Sequence, residues 1–309
     1  MKPNQIERGI IMPFLKVKTM KTKKILIPVG ILMTAIFILA GCVSKKNIWG
    51  DTKKGLILSY RMPEGKAYTY KVTADVTQAM EINQQKLEVT LKSYQEYTFT
   101  NVSPDPDPLS LKVTIDTMSL NIKSPVNEIT PDMQNVIGKS LEMKLSARGE
   151  ESDYIGVKEI TYAIGPETRN LGTEFQGLFP NLSDGPIQPG ASWSFQDTIM
   201  EESGSNWLGI YASNIATLEG YETIGNRECA RIIISITGTI SGKGNTQGVI
   251  TETAGEFTGT DKVYFDYKEG VLVKIASEGV AKSQTKTSGV REMIIPATRE
   301  MRKEVKLVD

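Results

Sequence analysis

The sequence predicts a mainly β protein: a curved antiparallel sheet or open half-barrel with one or two short helices. Three observations lead to this prediction. Apolar and polar residues alternate with a period of two along most of the chain, turn-forming residues separate the alternating segments, and helical spacing is confined to short stretches. The chain has 309 residues, of which 39% are hydrophobic, so it can bury one large core or two modest ones.

The first alternating segment, residues 68–82, has mostly apolar residues at even positions and mostly Thr and charged residues at odd positions. This pattern predicts a half-buried strand with one solvated face. Asn83-Gln84-Gln85 predicts a turn, and the alternation resumes at residues 87–99, 109–115 and 141–147. We therefore expect antiparallel strands joined by short hairpins.

The second half predicts five more strands, at residues 221–225, 230–240, 248–255, 260–267 and 271–277. Lys268-Glu269-Gly270 predicts a tight hairpin connection. The meanders in residues 55–125 and 206–290 are similar in size, which suggests a distant duplication.

Two segments between these meanders favour short helices. Thr130-Pro131 is typical of a helix start, and Met133, Val136 and Ile137 follow at helical spacing before Gly138. Residues 166–179 are the second candidate. Residues 178–190 predict a loop because Pro, Gly, Asn and Asp are frequent there.

The chain contains no histidine. This absence excludes Ser-His-Asp and Cys-His nucleophilic sites and His-ligated zinc sites. The classes that remain are binding and chemistry by carboxylates, and we expect no cofactor and no metal.

An uncharged segment of sixteen residues, 25–40, follows three lysines and ends at Gly41 and Cys42. A transmembrane helix needs about 20 apolar residues. This segment is shorter and contains Pro28 and Gly30, so it fits a cleaved signal peptide better.

The tetrapeptide Leu39-Ala40-Gly41-Cys42 resembles the lipobox of bacterial lipoproteins. The resemblance implies that the Cys42 thiol receives a diacylglyceryl group and that a signal peptidase cuts between Gly41 and Cys42. It also implies that the new amino terminus is open to acylation, for example by palmitate. The alternative is an uncleaved signal anchor in which Cys42 is a chance thiol.

These features predict three parts: a signal peptide at residues 1–41, a lipidated tether at residues 42–54 and a β-rich extracytoplasmic domain at residues 55–309. Met20 is an alternative translation start, because a compact basic segment follows it. The anchor implies a place in the cell envelope, outside the cytoplasm. In a two-membrane bacterium, Val43 in place of an aspartate implies the outer membrane by analogy with the family.

The mature chain is acidic. Of the 36 basic and 36 acidic residues, seven basic residues and one acidic residue lie in residues 1–41, which leaves a net charge of −6. Nucleic-acid binding depends on basic residues that neutralise phosphates, so we exclude it. The partners expected are membrane lipid, through the anchor, and an amphiphilic ligand or an envelope protein.

A second resemblance covers most of the mature chain. The pattern is similar to one found in strand-rich secreted bacterial proteins of uncharacterised function, and it implies no catalytic residue. It consists of Phe179-Pro180, Pro186-Ile187, Gly190, Ser192-Trp193, Tyr264-Phe265-Asp266 and Gly270-Val271-Leu272-Val273.

Four aromatic residues near the mid-chain loop, Trp193, Phe195, Trp207 and Tyr211, are candidates for a ligand-facing platform. Aromatic side chains on loops bind carbohydrate or lipid, but they also serve as buried plugs at the end of a sheet. Both alternatives stay open from the sequence.

The other candidates favour structural roles. Asp105 and Asp107 have the spacing of a calcium loop, but prolines surround them and favour a stiff loop. The glycines of residues 238–259 do not form a phosphate-binding motif and favour turns and bulges in twisted strands. Cys229 begins an apolar run and favours a small buried residue.

Acidic pairs, such as Glu150-Glu151 with Asp153 and Glu201-Glu202, are candidates for acid–base hydrolysis or simply solvated turns. We expect a membrane-anchored protein that binds a ligand or partner without catalysis. A lipid or other amphiphile held in the curve of the sheet is the sharper form of this hypothesis. The alternatives are a carboxylate-dependent envelope hydrolase and a purely structural lipoprotein.

Overall fold

The computed structural model of the chain describes residues 55–165, 167–203, 206–246, 248–289 and 292–308. The predicted signal peptide, with Gly41 and Cys42, and the tether lie outside these residues. Strands account for 70% of the structure, and the described part contains no helix of seven or more residues. The predicted mainly β fold class, with a curved and open sheet, is confirmed.

The described residues form a succession of strands interrupted by a single short 3-10 helix, η1. In chain order the elements are β1 (Ala67–Ile82), β2 (Gln85–Asn101), β3 (Leu109–Lys123), β4 (Glu128–Ile129), β5 (Ser140–Leu145), β6 (Glu151–Ile155), η1 (Val157–Glu159), β7 (Thr161–Ile164), β8 (Glu167–Asn170), β9 (Ser192–Ser203), β10 (Asn206–Ile224), β11 (Arg227–Thr246), β12 (Val249–Asp266), β13 (Val271–Ser288) and β14 (Met293–Val308).

One large antiparallel sheet has the strand order β6-β5-β3-β2-β1-β14-β13-β12-β11-β10-β9, and the short β4 pairs with β3. The last strand, β14, lies between β13 and β1, so the two meanders join in the middle of the sheet. The strands β6 and β9 are its edges. A separate hairpin consists of β7 and β8.

The tight turns follow the sequence prediction. Asn83 and Gln84 have φ angles of 51° and 65°, the left-handed geometry that a two-residue type I′ hairpin requires. In the hairpin between β12 and β13, Asp266 Oδ1 accepts the backbone N–H groups of Lys268 and Glu269 at 2.9 and 3.0 Å. Gly270 completes that turn with a φ of 75°.

The strands of the second half are longer than predicted. The predicted strands 248–255 and 260–267 are one strand, β12, because Gly255 and Gly259 stay paired with Ser283 and Gly279 on β13. The segments that form β9 and β14 were not predicted as strands.

Neither predicted helix forms. Residues 133–138 make a single turn in which the Ile137 N–H reaches the Met133 carbonyl at 3.0 Å, and Gly138 leaves it with a φ of 80°. Burial of Met133 and Val136 against the sheet accounts for the apolar spacing that suggested a helix. Residues 167–170 form β8, and turns follow in place of the second helix.

The core occupies one end of the long strands, on one face of the sheet. We call this face the core face and the opposite one the outer face. Residues 171–182, which we call the plug, pack onto the core face. The Phe179 ring meets Tyr60, Tyr70 and Phe99 edge-on, with ring centroids at 5.6, 5.9 and 5.2 Å. Each such pair adds about 0.5–1.5 kcal/mol beyond the area that it buries.

The described residues include no helical segment with the length and hydropathy of a membrane span.

Candidate functional site

Beyond the plug, the long strands continue and their core face forms a trough, and at its β9 edge Arg169 of β8 pairs with Glu201 at 2.7 Å. On β12, the odd residues from Val249 to Asp261 are half-buried, whereas the even ones are exposed. The odd residues share a face with Val263 and Phe265, which are buried in the core. We define the trough as the core face of β9–β14, β1 and β2 beyond the plug.

The trough is lined mainly by apolar side chains that remain half-buried. A depression of about 570 Å³ lies over β9–β12, and of its twelve lining residues four have core-face parity (Asp197, Ala212, Gly238 and Phe257) and eight have outer-face parity. The apolar lining includes Ile199, Ile210, Ile236, Ile240, Phe257, Ala281, Ile295, Ala297, Met80, Val89 and Leu91.

Six glycines on β11–β13 face the trough: Gly238, Gly242, Gly244, Gly255, Gly259 and Gly279. A Cβ at Gly238 would lie 2.3 Å from the Tyr211 carbonyl oxygen, and one at Gly255 would lie 2.6 Å from that of Lys282. Neighbouring backbone therefore approaches closely on this face, which only glycine allows and which lets the strands coil toward it. The Phe257 ring covers Gly238, since its Cε1 would be 2.4 Å from that Cβ.

Polar side chains cross the sheet where the trough meets the core, and we call Asp197, Asn214, Asp261, Ser277, Lys303 and Glu174 the polar band. Asp197 accepts a hydrogen bond from Asn214 Nδ2 at 2.7 Å and one from Asn181 Nδ2 at 3.2 Å. Burial raises the pKa of the Asp197 carboxyl, and the charge of Asp261 adds to this effect, while the Asn214 bond opposes it.

The remainder of the polar band surrounds Lys303. Burial raises the pKa of Asp261 and that of Glu174, and the positive charge of Lys303 opposes the rise in both. Glu174 lies in the plug, where Gln95 Nε2 donates to its carboxylate at 3.5 Å. Gln95 and Asn214 are themselves buried, so an apolar trough ends at a desolvated polar boundary.

The predicted aromatic platform does not form. The four residues lie on strands rather than on a loop, and strand alternation places them on opposite faces. Trp193 and Phe195 pack against the core, and Trp193 Nε1 donates to the Asn181 carbonyl at 3.0 Å. Trp207 and Tyr211 lie on the outer face, with 36% and 41% of their surface exposed.

Glu151 is not in a solvated turn. Its carboxylate accepts the backbone N–H groups of Gly177, Leu178 and Phe179 at 2.6, 2.9 and 2.8 Å and the Tyr154 hydroxyl at 3.1 Å. Burial outweighs these bonds and raises the pKa of Glu151 to about 7. The carboxylate thus anchors the plug to the sheet edge.

The other predicted carboxylates are dispersed. Glu150 is exposed, Asp153 pairs with Lys144 at 2.8 Å, and Glu201 pairs with Arg169 at 2.7 Å. The Glu202 side chain is outside the described part. Sequence reasoning missed Asp197 and Asp261. A signal was present, because Asp197 is in phase with Phe195 and Asp261 is in phase with Val263.

The remaining candidate residues, Asp107 and Cys229, have structural roles. Asp107 Oδ1 accepts the Ala147 N–H at 2.9 Å, and the described residues contain no group of three or more metal-ligating side chains. Cys229 is fully buried, as predicted, and burial raises the pKa of its thiol to about 11.

No family model matches the chain, and no curated protein matches it. The solved structures similar to it include OccK2 (OpdF) and OpdQ of Pseudomonas aeruginosa, each at 7% identity with a TM-score of 0.24. Each alignment covers 79% of this chain, with 98% of OccK2 and 100% of OpdQ. An outer membrane channel from Pseudomonas putida F1 has 9% identity and a TM-score of 0.20 over 81% of this chain and 98% of its own. Scores this low do not support an argument about fold or function.

Proposed function

We propose that this protein is a lipid-anchored extracytoplasmic binding protein whose trough holds the hydrocarbon chain of an amphiphile, without catalysis. The observation that carries the proposal is the trough itself, a largely apolar face whose side chains stay half-buried beyond the plug. A contiguous apolar surface that is accessible to solvent is typical of a ligand-binding or partner-binding site.

Charged side chains are more frequent on the outer face of these strands than in the trough, which supports a hydrocarbon ligand on the core face. The outer face of the same strands carries ion pairs, such as Lys243 with Glu252 at 3.1 Å and Lys274 with Glu304 at 2.6 Å. The same face also exposes apolar side chains, including Trp207, Tyr211 and Val280. The trough has aliphatic side chains and bare glycines at the equivalent levels, so a hydrocarbon chain finds both room and apolar contact there.

The anchor part of the proposal depends on the lipobox. Acylation of Cys42 would hold the β-rich part beside a membrane, where amphiphiles are abundant. Two or three acyl chains hold a protein on a bilayer stably, whereas one chain binds marginally.

The experiment is a comparison of bound lipid in two matched variants. Ala281 lies in the trough opposite Phe257, and its neighbour Val280 lies on the outer face of the same strand, 40% exposed. Ala281→Phe narrows the trough, while Val280→Phe adds a similar group to the opposite face. Full-length wild-type protein and each variant are purified separately from membranes. The lipid that co-purifies with each protein is quantified by mass spectrometry.

We expect wild-type protein and Val280→Phe to carry stoichiometric amphiphile and Ala281→Phe to carry several-fold less. Cooperative thermal unfolding of each variant controls for folding. If wild-type protein carries no more lipid than an unrelated lipoprotein purified in parallel, the binding function is wrong. Equal lipid in the two variants would place the ligand outside the trough.

A further inference from the structure

Arg299 lies on the core face of β14, inside the trough. It pairs with Ala281 on β13 and with Gln78 on β1, and it shares a face with Val305 and Leu307, which are buried in the core. It is therefore a cation on an apolar surface, beside an alanine and an uncharged amide.

No described side chain forms an ion pair with Arg299. The core-face positions diagonal to it are uncharged: Gly279, Ser283, Val76 and Met80. Glu300 and Glu278, which are close in sequence or register, point to the outer face because their positions have the opposite parity.

The polar band does not supply a partner either. Its cation is Lys303, whose charge opposes the rise that burial causes in the pKa of Asp261 and in that of Glu174. Lys303 is four residues from Arg299 along β14, which is roughly 13 Å at the rise of a strand. Arg299 therefore lies farther from the plug along the trough than Lys303 and the two carboxylates near it, Asp261 and Glu174.

Three other arginines of the described chain form ion pairs. Arg169 pairs with Glu201 at 2.7 Å, Arg227 with Asp266 at 3.2 Å and Arg231 with Glu222 at 3.0 Å. Arg299 has no such partner among the described residues; it is exposed, and the residues around it desolvate the guanidinium enough to lower its pKa. A guanidinium stays charged in proteins, and one with no described counter-ion is free to pair with an anion from outside the chain.

We propose that Arg299 binds the anionic headgroup of the amphiphile, a carboxylate or a phosphate, while the hydrocarbon chain lies on the apolar residues of the trough. The planar guanidinium offers paired N–H donors that match the two oxygens of either headgroup. This inference rests on the proposed function and adds the charge and place of the headgroup.

The experiment uses membranes that contain the full-length protein and a photoreactive myristate. Labelling of trough peptides is competed with unlabelled myristate, myristyl phosphate or myristyl alcohol, which share one chain and differ in headgroup. Arg299→Gln removes the charge and Arg299→Lys keeps it. Arg302→Gln is the matched control, because Arg302 is on the same strand but faces outward.

We expect one or both anionic ligands to compete at least about 10-fold better than the alcohol in wild-type protein and in Arg302→Gln, the gain typical of hydrogen bonds to a charged group. The ratio between the two anions identifies the preferred headgroup. Arg299→Gln should reduce the preference for anions toward unity and leave competition by the alcohol unchanged. Arg299→Lys should keep part of the preference, which a purely structural role would not produce.

Two other results would overturn the inference in different ways. If all three ligands compete equally in wild-type protein, or if Arg302→Gln matches Arg299→Gln, the headgroup assignment is wrong but the trough still binds chains. If no competable labelling of trough peptides occurs, the proposed function fails together with the inference.

Discussion

The carboxylate of Glu151, on the edge strand β6, accepts the backbone N–H of Phe179 at 2.8 Å. Phe179 is the aromatic centre of the plug, and its ring packs against Tyr60, Tyr70 and Phe99. One buried acid therefore fixes the segment that separates the core from the open trough.

Titration of Glu151 should make stability depend on pH. Its pKa is about 7 in the folded protein and ordinarily 4.5, so between these values the folded state holds a proton that the unfolded state has lost. Its contribution to the free energy of unfolding is complete below pH 4.5 and is lost as the pH rises to about 7. Urea denaturation across this range should show stability falling with pH in wild-type protein.

Glu151→Gln should make that decline shallower because it removes the titrating proton. It should not abolish the decline, since burial also raises the pKa of Glu174, Asp197 and Asp261. The control is Glu150→Gln, an exposed neighbour. Equal slopes in Glu151→Gln and wild-type protein would contradict the assignment.

Phe179→Ala should destabilise the protein by about 3–5 kcal/mol, the cost of a large cavity in a packed core. Phe179 is 2% exposed, so little relaxation is available. Val126→Ala is the control, because Val126 is 89% exposed and should change stability by less than about 0.5 kcal/mol. Denaturant midpoints at one pH measure both, and a loss below about 1 kcal/mol at Phe179 would show that the plug is not part of the cooperative core.

Substitution of a trough glycine by alanine, which adds only a methyl group, should destabilise the protein. A Cβ at Gly255 would lie 2.6 Å from the Lys282 carbonyl oxygen, a backbone atom that cannot rotate away. Gly255→Ala should therefore cost about 1–3 kcal/mol in thermal or urea unfolding. Ala254→Val, on the exposed outer face next to it, should be nearly neutral. If both substitutions are neutral, close strand coiling does not depend on these glycines.

Cys42→Ser should prevent acylation and leave the signal peptide uncleaved. Metabolic labelling with palmitate, followed by gel mobility, should show a labelled mature wild-type protein and an unlabelled, larger variant. Cys229→Ser is the control and should keep the label, because the buried Cys229 thiol is not an acylation site. A variant that remains membrane-held at its mature size, or processing insensitive to globomycin, would contradict lipobox processing.

Local patterns in the sequence determined the fold class and several hairpins. The alternation along residues 68–82 predicts β1, and Asn83 and Gln84 predict its turn, because strand period and turn conformation depend on adjacent residues. The spacing of apolar residues led to a wrong helix prediction at Met133 and Val136, because their burial against the sheet produced a helix-like period without a helix.

The trough was not predictable in the same way. Its polar band contains Asp197 and Asp261, which the pairing of β9–β12 places on one face, and Lys303, which joins them because β14 pairs with β13. The sequence likewise presented Trp193 and Tyr211 as one cluster, whereas strand parity separates them onto two faces.

By itself, the sequence determined that this is a strand-rich chain without histidine chemistry, since composition and period-two alternation are local properties. Only the tertiary structure decided that Glu151 is a buried anchor and that Arg299 lies in the trough without an ion-pair partner among the described residues. The reason is that burial and charge pairing depend on which strands become neighbours, and strand order is set by the packing of the whole sheet.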